Sequence, residues 1–257
     1  MFNIKHVTAM TFNLRMDTEE DGDNAWPYRK NAVIQMIQNH QPTVLGTQEG
    51  LHHMVEFLSS SLTDYAQIGE GREGGQNGEY SALFYKKDQL NLIDQGQFWL
   101  SETSDIPNSV SWKSACPRIC TWGKFTFVDN PNEKIAVLNT HLDHISQLAR
   151  EKGMDLIGSH IDAFIKQDIP VVLMGDFNCE PNNAVIQSIQ ELGLQVLPQE
   201  SGRTFHGFHG GTEGEPIDYI CASKEFTQST TVINRQTFEQ KYPSDHYPVV
   251  SQLVFTS

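Results

Sequence analysis

Apolar residues in this chain follow two rhythms. Short runs rich in β-branched and aromatic residues recur at Val7–Leu14, Thr43–Thr47, Ala82–Tyr85, Ile119–Phe127, Ile135–His141, Val171–Met174, Ile217–Ala222 and Val249–Phe255, and each predicts a strand. Between them, apolar positions three and four apart predict helices. Val33, Met36 and Ile37 mark the first, with Asn24 as its cap, Pro27 in its first turn and Pro42 beyond its end. Val55, Leu58 and Leu62 mark a second; Leu156, Ile157, Ile161, Phe164 and Ile165 a third, closed before Pro170; Val185, Ile186 and Ile189 a fourth. Strands interleaved with helices predict an α/β fold of mixed sheets covered by helices, not an all-β sandwich or a regular barrel.

Polar residues cluster where the apolar runs stop. Asn13 nearly ends the first run, Glu49 follows Val44-Leu45-Gly46, His141 closes Ile135–Leu138, and Asp176 and Asn178 follow Val171–Met174. If these strands lie side by side, their ends gather carboxylates, amides and imidazoles along one rim.

Charge narrows the function classes. Eighteen Lys and Arg against 32 Asp and Glu give a net charge of −14, and no basic stripe is present. Tight non-specific binding to nucleic acid or anionic membrane needs clustered cations, so neither is expected. No apolar stretch approaches the ~18 residues of a membrane span, and the first residues lack a basic region followed by an apolar run. A soluble, cytoplasmic protein without membrane association is expected. No linker or repeat interrupts the 257 residues, which predicts one domain over 1–257. The four cysteines are too dispersed for a disulfide framework; Cys116 and Cys120 on one strand would stand roughly 13 Å apart at ~3.3 Å per residue.

Several fragments carry possible chemistry, each with a plainer alternative. In Gly175-Asp176-Phe177-Asn178 a carboxylate could deprotonate water while an amide supports charge on a substrate oxygen. Equally, Asp and Asn there could hydrogen-bond their own turn. Tyr242-Pro243-Ser244-Asp245-His246 offers a metal ligand with a phosphate donor, an acid–base element, or a solvated turn. His141 could be an ordinary satisfied imidazole, and Glu49 a helix-entry acid. Asp218, flanked by Ile217, Tyr219 and Ile220, needs a partner if buried, and a histidine would serve.

Together these fragments resemble the endonuclease/exonuclease/phosphatase superfamily, the fold of DNase I. The motifs Thr11-Phe12-Asn13, Gln48-Glu49, Asn139-Thr140-His141, Gly175-Asp176-Phe177-Asn178 and Ser244-Asp245-His246 occur in that family's order across essentially the whole chain. Asn24-Ala25-Trp26-Pro27 and Pro117-Arg118-Ile119-Cys120-Thr121-Trp122 resemble a bacterial subgroup related to the carbon-catabolite-repressor-type deadenylase branch. The resemblance implies a four-layer α/β sandwich in which two packed mixed sheets are flanked by helices. It implies a metal bound by Glu49 with Asn13 and Asp245, a water activated by Asp176, and phosphoryl oxygens held by Asn178, His141, His246 and Arg118. Asp218 would pair with His246, and Glu79 would pair with His141 as its counterpart does in DNase I. The metal expected is Mg²⁺, with Mn²⁺ as a substitute, because hard oxygen ligands dominate and no thiolate or histidine cage for zinc is present.

The expected activity is metal-dependent hydrolysis of a phosphodiester or phosphomonoester, the partner being RNA, a nucleotide or a small phosphoester, with no obligate protein partner. A sphingomyelinase-like enzyme or a DNA endonuclease ranks lower. The rival from another class is a catalytically silent module using the same cleft to hold a metal or a partner. Other signals read as scaffold. Gly69-Glu70-Gly71-Arg72-Glu73-Gly74 follows a possible strand, Tyr65–Ile68, but Gly75-Gln76-Asn77-Gly78 cannot open a helix, so a mobile loop is expected instead of a dinucleotide site. Asp17, Glu19 and Asp21 imitate a calcium loop whose bidentate position is Tyr28, hence a surface loop. His206 and His209 fall in a glycine-rich loop that could approach the phosphate.

Overall fold

The computed structural model describes residues 4–197 and 200–256, with Ile4, Gln228, Ser229 and Thr256 described by backbone alone. The strands are β1 (Ile4–Asn13), β2 (Val44–Gln48), β3 (Tyr65–Ile68), β4 (Leu83–Lys86), β5 (Leu90–Trp99), β6 (Ile119–Phe127), β7 (Asn130–His141), β8 (Val171–Asp176), β9 (Leu194–Val196), β10 (Asp218–Ser223), β11 (Phe226–Ile233) and β12 (Val249–Thr256). The helices are α1 (Trp26–His40), α2 (His52–Ser61), α3 (Gln147–Ile165) and α4 (Ala184–Glu191). Two six-stranded sheets form, in the orders β11-β12-β1-β2-β4-β3 and β5-β6-β7-β8-β10-β9. Both are mixed: β1 runs parallel to β2, and β7 parallel to β8, while the other pairs are antiparallel.

Three apolar clusters define four layers. Val7, Ala9, Val44, Val137, Val172, Met174 and Ile220 fill the space between the sheets. Met10, Phe12 and Leu45 turn the other way and bury Val33, Met36 and Ile37 of α1 with Met54 and Leu58 of α2. Leu138, Val171 and Leu173 do the same against Met154, Ile157 and Ile161 of α3 and Ile189 of α4. The central strands are buried on both faces and therefore read as continuous apolar runs.

All eight predicted strands are present. β5, β9 and β11, absent from the predicted set, are edge strands, as is β3. Edge strands face water on one side and carry polar residues, so Leu90–Trp99, with Asn91, Asp94, Gln95 and Gln97, lacks an apolar run to detect. The first helix starts differently from expectation. Its cap is Ala25, with no side-chain hydrogen bond, because Asn24 closes a 3-10 turn over Glu19–Asn24 and gives its carbonyl to Arg29 Nε at 2.8 Å. α3 reaches back to Gln147, where the Ser146 hydroxyl accepts from the Ala149 N–H. Among the described residues no helix is long and apolar enough to cross a membrane.

Candidate active site

Strand register assembles the rim. β7 and β8 pair His141 with Asp176, and β8 and β10 pair Asp176 with Asp218, so three side chains of the second sheet stand in one row. In the first sheet Asn13 is in register with Gln48, one residue before Glu49, and Asp245 and His246 lie just before β12, which runs antiparallel to β1. The C-terminal ends of β1, β2, β7 and β8 and the N-terminal ends of β6, β10 and β12 therefore share one edge of the sandwich. A cleft of about 680 Å³ opens there, lined by Glu49, Glu79, Arg118, His141, Asp176, Asn178, Asp245 and His246 among others.

Asp176 is the centre. Its Oδ2 accepts from Asn13 Nδ2 at 3.0 Å and lies 3.5 Å from His141 Nε2 and 3.8 Å from His246 Nε2. Its Oδ1 accepts from the Asn178 N–H at 2.9 Å, so the local-turn reading is also true: one oxygen builds the turn and the other faces the cleft. Burial, reinforced by the charge of Asp218, pushes the Asp176 carboxyl up to about 7. Gly175 makes this approach possible. Its φ is 154°, and a Cβ there would sit 2.0 Å from the Thr140 carbonyl oxygen of the neighbouring strand.

The histidines have opposite environments. His246 Nδ1 lies 2.9 Å from Asp218 Oδ2, the partner that the buried acid requires. Burial alone would lower the His246 pKa, but Asp218, Asp176 and Asp245 together raise it to about 10. His141 is held well below the ordinary imidazole range by burial and by the nearby charges of Arg118 and His246. One imidazole is thus a cation and the other neutral at pH 7.

Asn13 Nδ2 also donates to Glu49 Oε1 at 2.9 Å, while the Met16 N–H donates to Glu49 Oε2 at 3.1 Å. Burial would raise Glu49, but these bonds and the charges of His246 and Arg15 bring it below the usual carboxylate range. Asp245 is raised by burial, and the charge of Glu49 pushes in the same direction. Glu49 takes a left-handed φ of 62° and Asn178 one of 50°, conformations uncommon for residues other than glycine. The carboxylates of Glu49 and Asp245 are hard donors whose repulsion a divalent cation would relieve, whereas Asn13 turns its Nδ2 toward Glu49 and its Oδ1 accepts from the Arg15 N–H at 2.9 Å. Among the described residues, the groups with three ligand atoms within 4.8 Å of one another are Asp176, Asp218, His246 and Cys116, Asp143, His144. In the first, His246 Nδ1 is already engaged by Asp218.

One expected pairing is replaced. Glu79 binds Arg72, with Arg72 Nη1 2.8 Å from Oε2 and Nη2 2.7 Å from Oε1, and no hydrogen bond joins it to His141 among the described residues. The reason is the glycine-rich segment. Bridges between Gly71 and Tyr80 and between Gly74 and Asn77 fold it back on itself, and the Trp99 indole N–H donates to the Arg72 carbonyl, bringing a guanidinium beside Glu79. The segment is a tied loop, not a free one.

Residues outside the expected site set also reach the cleft. Arg15 pairs with Asp21 through two bonds of 2.9 Å. Phe205, Gly207 and Phe208 line the cleft, whereas His206 is buried and stacks on Tyr247 at 3.9 Å. Burial lowers His206 to about 4, a core histidine. Arg29, unnoticed in sequence, is buried beneath the site and donates to the carbonyls of Leu14, Arg15 and Pro243, pinning the segment just after Asn13 to the one just before Asp245. Asn139 bridges the sheets, donating to the Thr47 and Ala82 carbonyls and accepting from Gln48 Nε2 at 2.7 Å. A buried arginine or asparagine announces itself only through its burial.

Known proteins share this fold. A mannosyl-6-phosphatase from Bacteroides thetaiotaomicron superposes with a TM-score of 0.91 at 31% identity, covering 97% of this chain and 100% of that one. Nocturnin of Drosophila melanogaster is 30% identical over 190 residues, which are 67% of this chain and 27% of that protein. The carbon catabolite repressor protein 4 homolog 3 of Arabidopsis thaliana is 22% identical over 184 residues, 68% of this chain and 38% of that protein. The chain thus spans about a quarter to two-fifths of these two relatives. The model of the Endonuclease/Exonuclease/phosphatase family matches residues 10–246, and the chain belongs to that family.

Proposed function

We propose that this chain is a divalent-cation-dependent phosphoesterase acting on a small phosphoester through water activated by Asp176. The observation that carries the proposal is the convergence on Asp176 Oδ2 of Asn13, His141 and His246, drawn from both sheets. With its carboxyl raised to about 7, Asp176 is a base matched to neutral pH. It takes a proton from water, the water oxygen forms a bond to phosphorus as the ester P–O bond breaks, the leaving oxygen takes up a proton from solvent, and Asp176 gives its proton back to solvent, so that an alcohol and phosphate are released.

Residues around Asp176 divide the remaining tasks. Cationic His246, oriented by Asp218, and the neutral His141 donate toward phosphoryl oxygens, with Arg118 and the Asn178 amide beside them. Glu49 and Asp245 would hold the cation, with Asn13 as a third ligand once its Oδ1 turned from the Arg15 N–H, and Mg²⁺ or Mn²⁺ would suit these oxygens. When bound, such an ion neutralises phosphoryl charge and stabilises the leaving oxygen.

The cleft wall favours a polyhydroxylated leaving group, the sugar of a sugar phosphate. Two preformed donor–acceptor pairs, Arg15–Asp21 and Arg72–Glu79, can hydrogen-bond hydroxyls, and Phe205, 49% exposed, offers an apolar ring to a sugar face. The neighbour that is a mannosyl-6-phosphatase supports this class. Further phosphates of a long nucleic acid would meet Asp21, Glu49, Glu79 and Asp245. Nucleotides and short single-stranded RNA form the second reading, favoured by the same aromatic ring as a base platform and by the Nocturnin relatives.

The test is hydrolysis of sugar phosphates, nucleotides, single-stranded RNA, duplex DNA and bis-p-nitrophenyl phosphate in Mg²⁺, Mn²⁺ or EDTA, with Asp176→Ala in parallel. Metal-dependent turnover of sugar phosphates, lost in the variant, is expected. Turnover indifferent to EDTA, or retained by the variant, would refute the mechanism. Inactivity on every substrate would favour a silent binding module.

A further inference from the structure

Arg118 is 94% buried by side chain, yet Nε and Nη1 are buried with no hydrogen-bond partner among the described residues. Buried guanidinium donors left without acceptors are costly, and these belong to a side chain lining the cleft with His141 and Asp176. The nearest carboxylate does not satisfy them. Asp143 Oδ2 stands 4.0 Å from Arg118 Nε, and its oxygens are already occupied: Oδ2 accepts from Ser114 Oγ and the Ala115 N–H, Oδ1 from the Ile145 and Ser146 N–H groups. Asp143 therefore ties together the segments on which Arg118 and His144 sit, without closing a fork on the guanidinium. The hydrogen bond that does hold Arg118 comes from its Nη2 to His144 Nδ1 at 3.1 Å. Arginine can only donate, so Nδ1 is the bare nitrogen and the ring proton sits on Nε2.

We propose that His144 is a positioning residue which fixes Arg118 through Nη2, leaving Nε and Nη1 for an oxyanion of the substrate, the phosphoryl group above all. The inference rests on the phosphoesterase reading and adds to it a residue outside the expected site set. The same geometry argues against a metal at Cys116, Asp143 and His144, although their ligand atoms cluster within 4.8 Å. The Asp143 lone pairs are engaged, and a permanent cation adjoins His144 Nδ1.

Inorganic phosphate is the probe. Its dissociation constant is measured by calorimetry, in Mg²⁺, for wild type, His144→Ala, His144→Asn, Arg118→Ala and the double variant Arg118→Ala/His144→Ala. Loss of one charge-assisted bond that orders the guanidinium is expected to weaken phosphate about three- to tenfold in His144→Ala. Asparagine, whose Oδ1 can accept from Nη2, should restore most of that loss. In the Arg118→Ala background the histidine change should cost nothing further, because its effect passes through Arg118. Wild-type affinity in His144→Ala overturns the proposal. So does an equal loss in the Arg118→Ala background, which would make His144 a direct ligand, and so does a wild type that binds no phosphate. Failure of the phosphoesterase reading would appear separately, as phosphate binding without turnover of any phosphoester.

Discussion

His246, just ahead of β12 of the first sheet, and Asp218, the first residue of β10 in the second, lie 28 residues apart and meet at 2.9 Å between Nδ1 and Oδ2. The contact joins the segment before β12 to the first residue of β10 across the cleft, so it orients a ring and also ties the sandwich at its open edge. Asp176, register partner of Asp218 on β8, brings a second carboxylate to the same ring.

Replacing Asp176 by Asn tests chemistry apart from fold. The amide keeps one acceptor, which can serve the Asn178 N–H, turns an N–H donor toward Asn13 Nδ2 in place of the second oxygen, and cannot take a proton. Turnover on the identified substrate should fall by about two to four orders of magnitude, the range of a general base. Burial and Asp218 already disfavour the charge on Asp176, so the melting temperature should stay level or rise. Steady-state kinetics with a thermal melt separate the two effects.

The pH profile follows from the same pair of groups. The base form of Asp176 appears as pH rises through about 7, and the His246 cation is lost as pH rises through about 10. The kcat/KM should therefore climb on an acid limb and decline on an alkaline limb, both lying at lower pH than these metal-free values once a cation is bound, because its positive charge favours the deprotonated form of each group. Asp218→Asn removes the strongest influence raising His246, so the alkaline limb should move to lower pH. The raised His246 pKa also contributes stability that is complete below 6.5, its ordinary value, and is lost as pH rises through about 10. Initial rates from pH 5 to 11, with melts at each pH, check both.

Glu49→Gln addresses the cation. Binding to the folded state alone raises stability by RT ln(1 + [L]/Kd), about 2.7 kcal/mol at a hundredfold excess over Kd. Mg²⁺ should raise the wild-type melting temperature by several degrees, and the variant should lose most of that rise while its metal-free melt changes less. An equal rise in both proteins would remove Glu49 from the cation site.

Gly175→Ala probes the backbone under the site. The added Cβ would stand 2.0 Å from the Thr140 carbonyl, so β7 and β8 must separate where His141 and Asp176 face each other. A loss of about 3 kcal/mol or more is expected, with turnover falling beyond what partial unfolding explains. Denaturant titration and activity per folded molecule measure the two.

The chain's local pattern determined much of this protein. Its central strands are buried on both faces, and continuous apolar runs such as Val171–Met174 record that directly. Polar residues at the ends of those runs, from Asn13 to Asp176, mark the rim because a strand end is where a buried element meets solvent. The edge strands β5, β9 and β11 left no such trace, since one side of each faces water. Partner choice was decided by tertiary structure. Glu79 could have met His141, but two bridges in residues 71–80 and the bond from Trp99 to the Arg72 carbonyl put a guanidinium there instead. Likewise His144 and Arg118 are 26 residues apart and adjoin because β6 and β7 pair antiparallel. Periodicity encodes which face of an element is buried. Which charges meet across two faces depends on register, loop path and burial together, and those exist only in the folded chain.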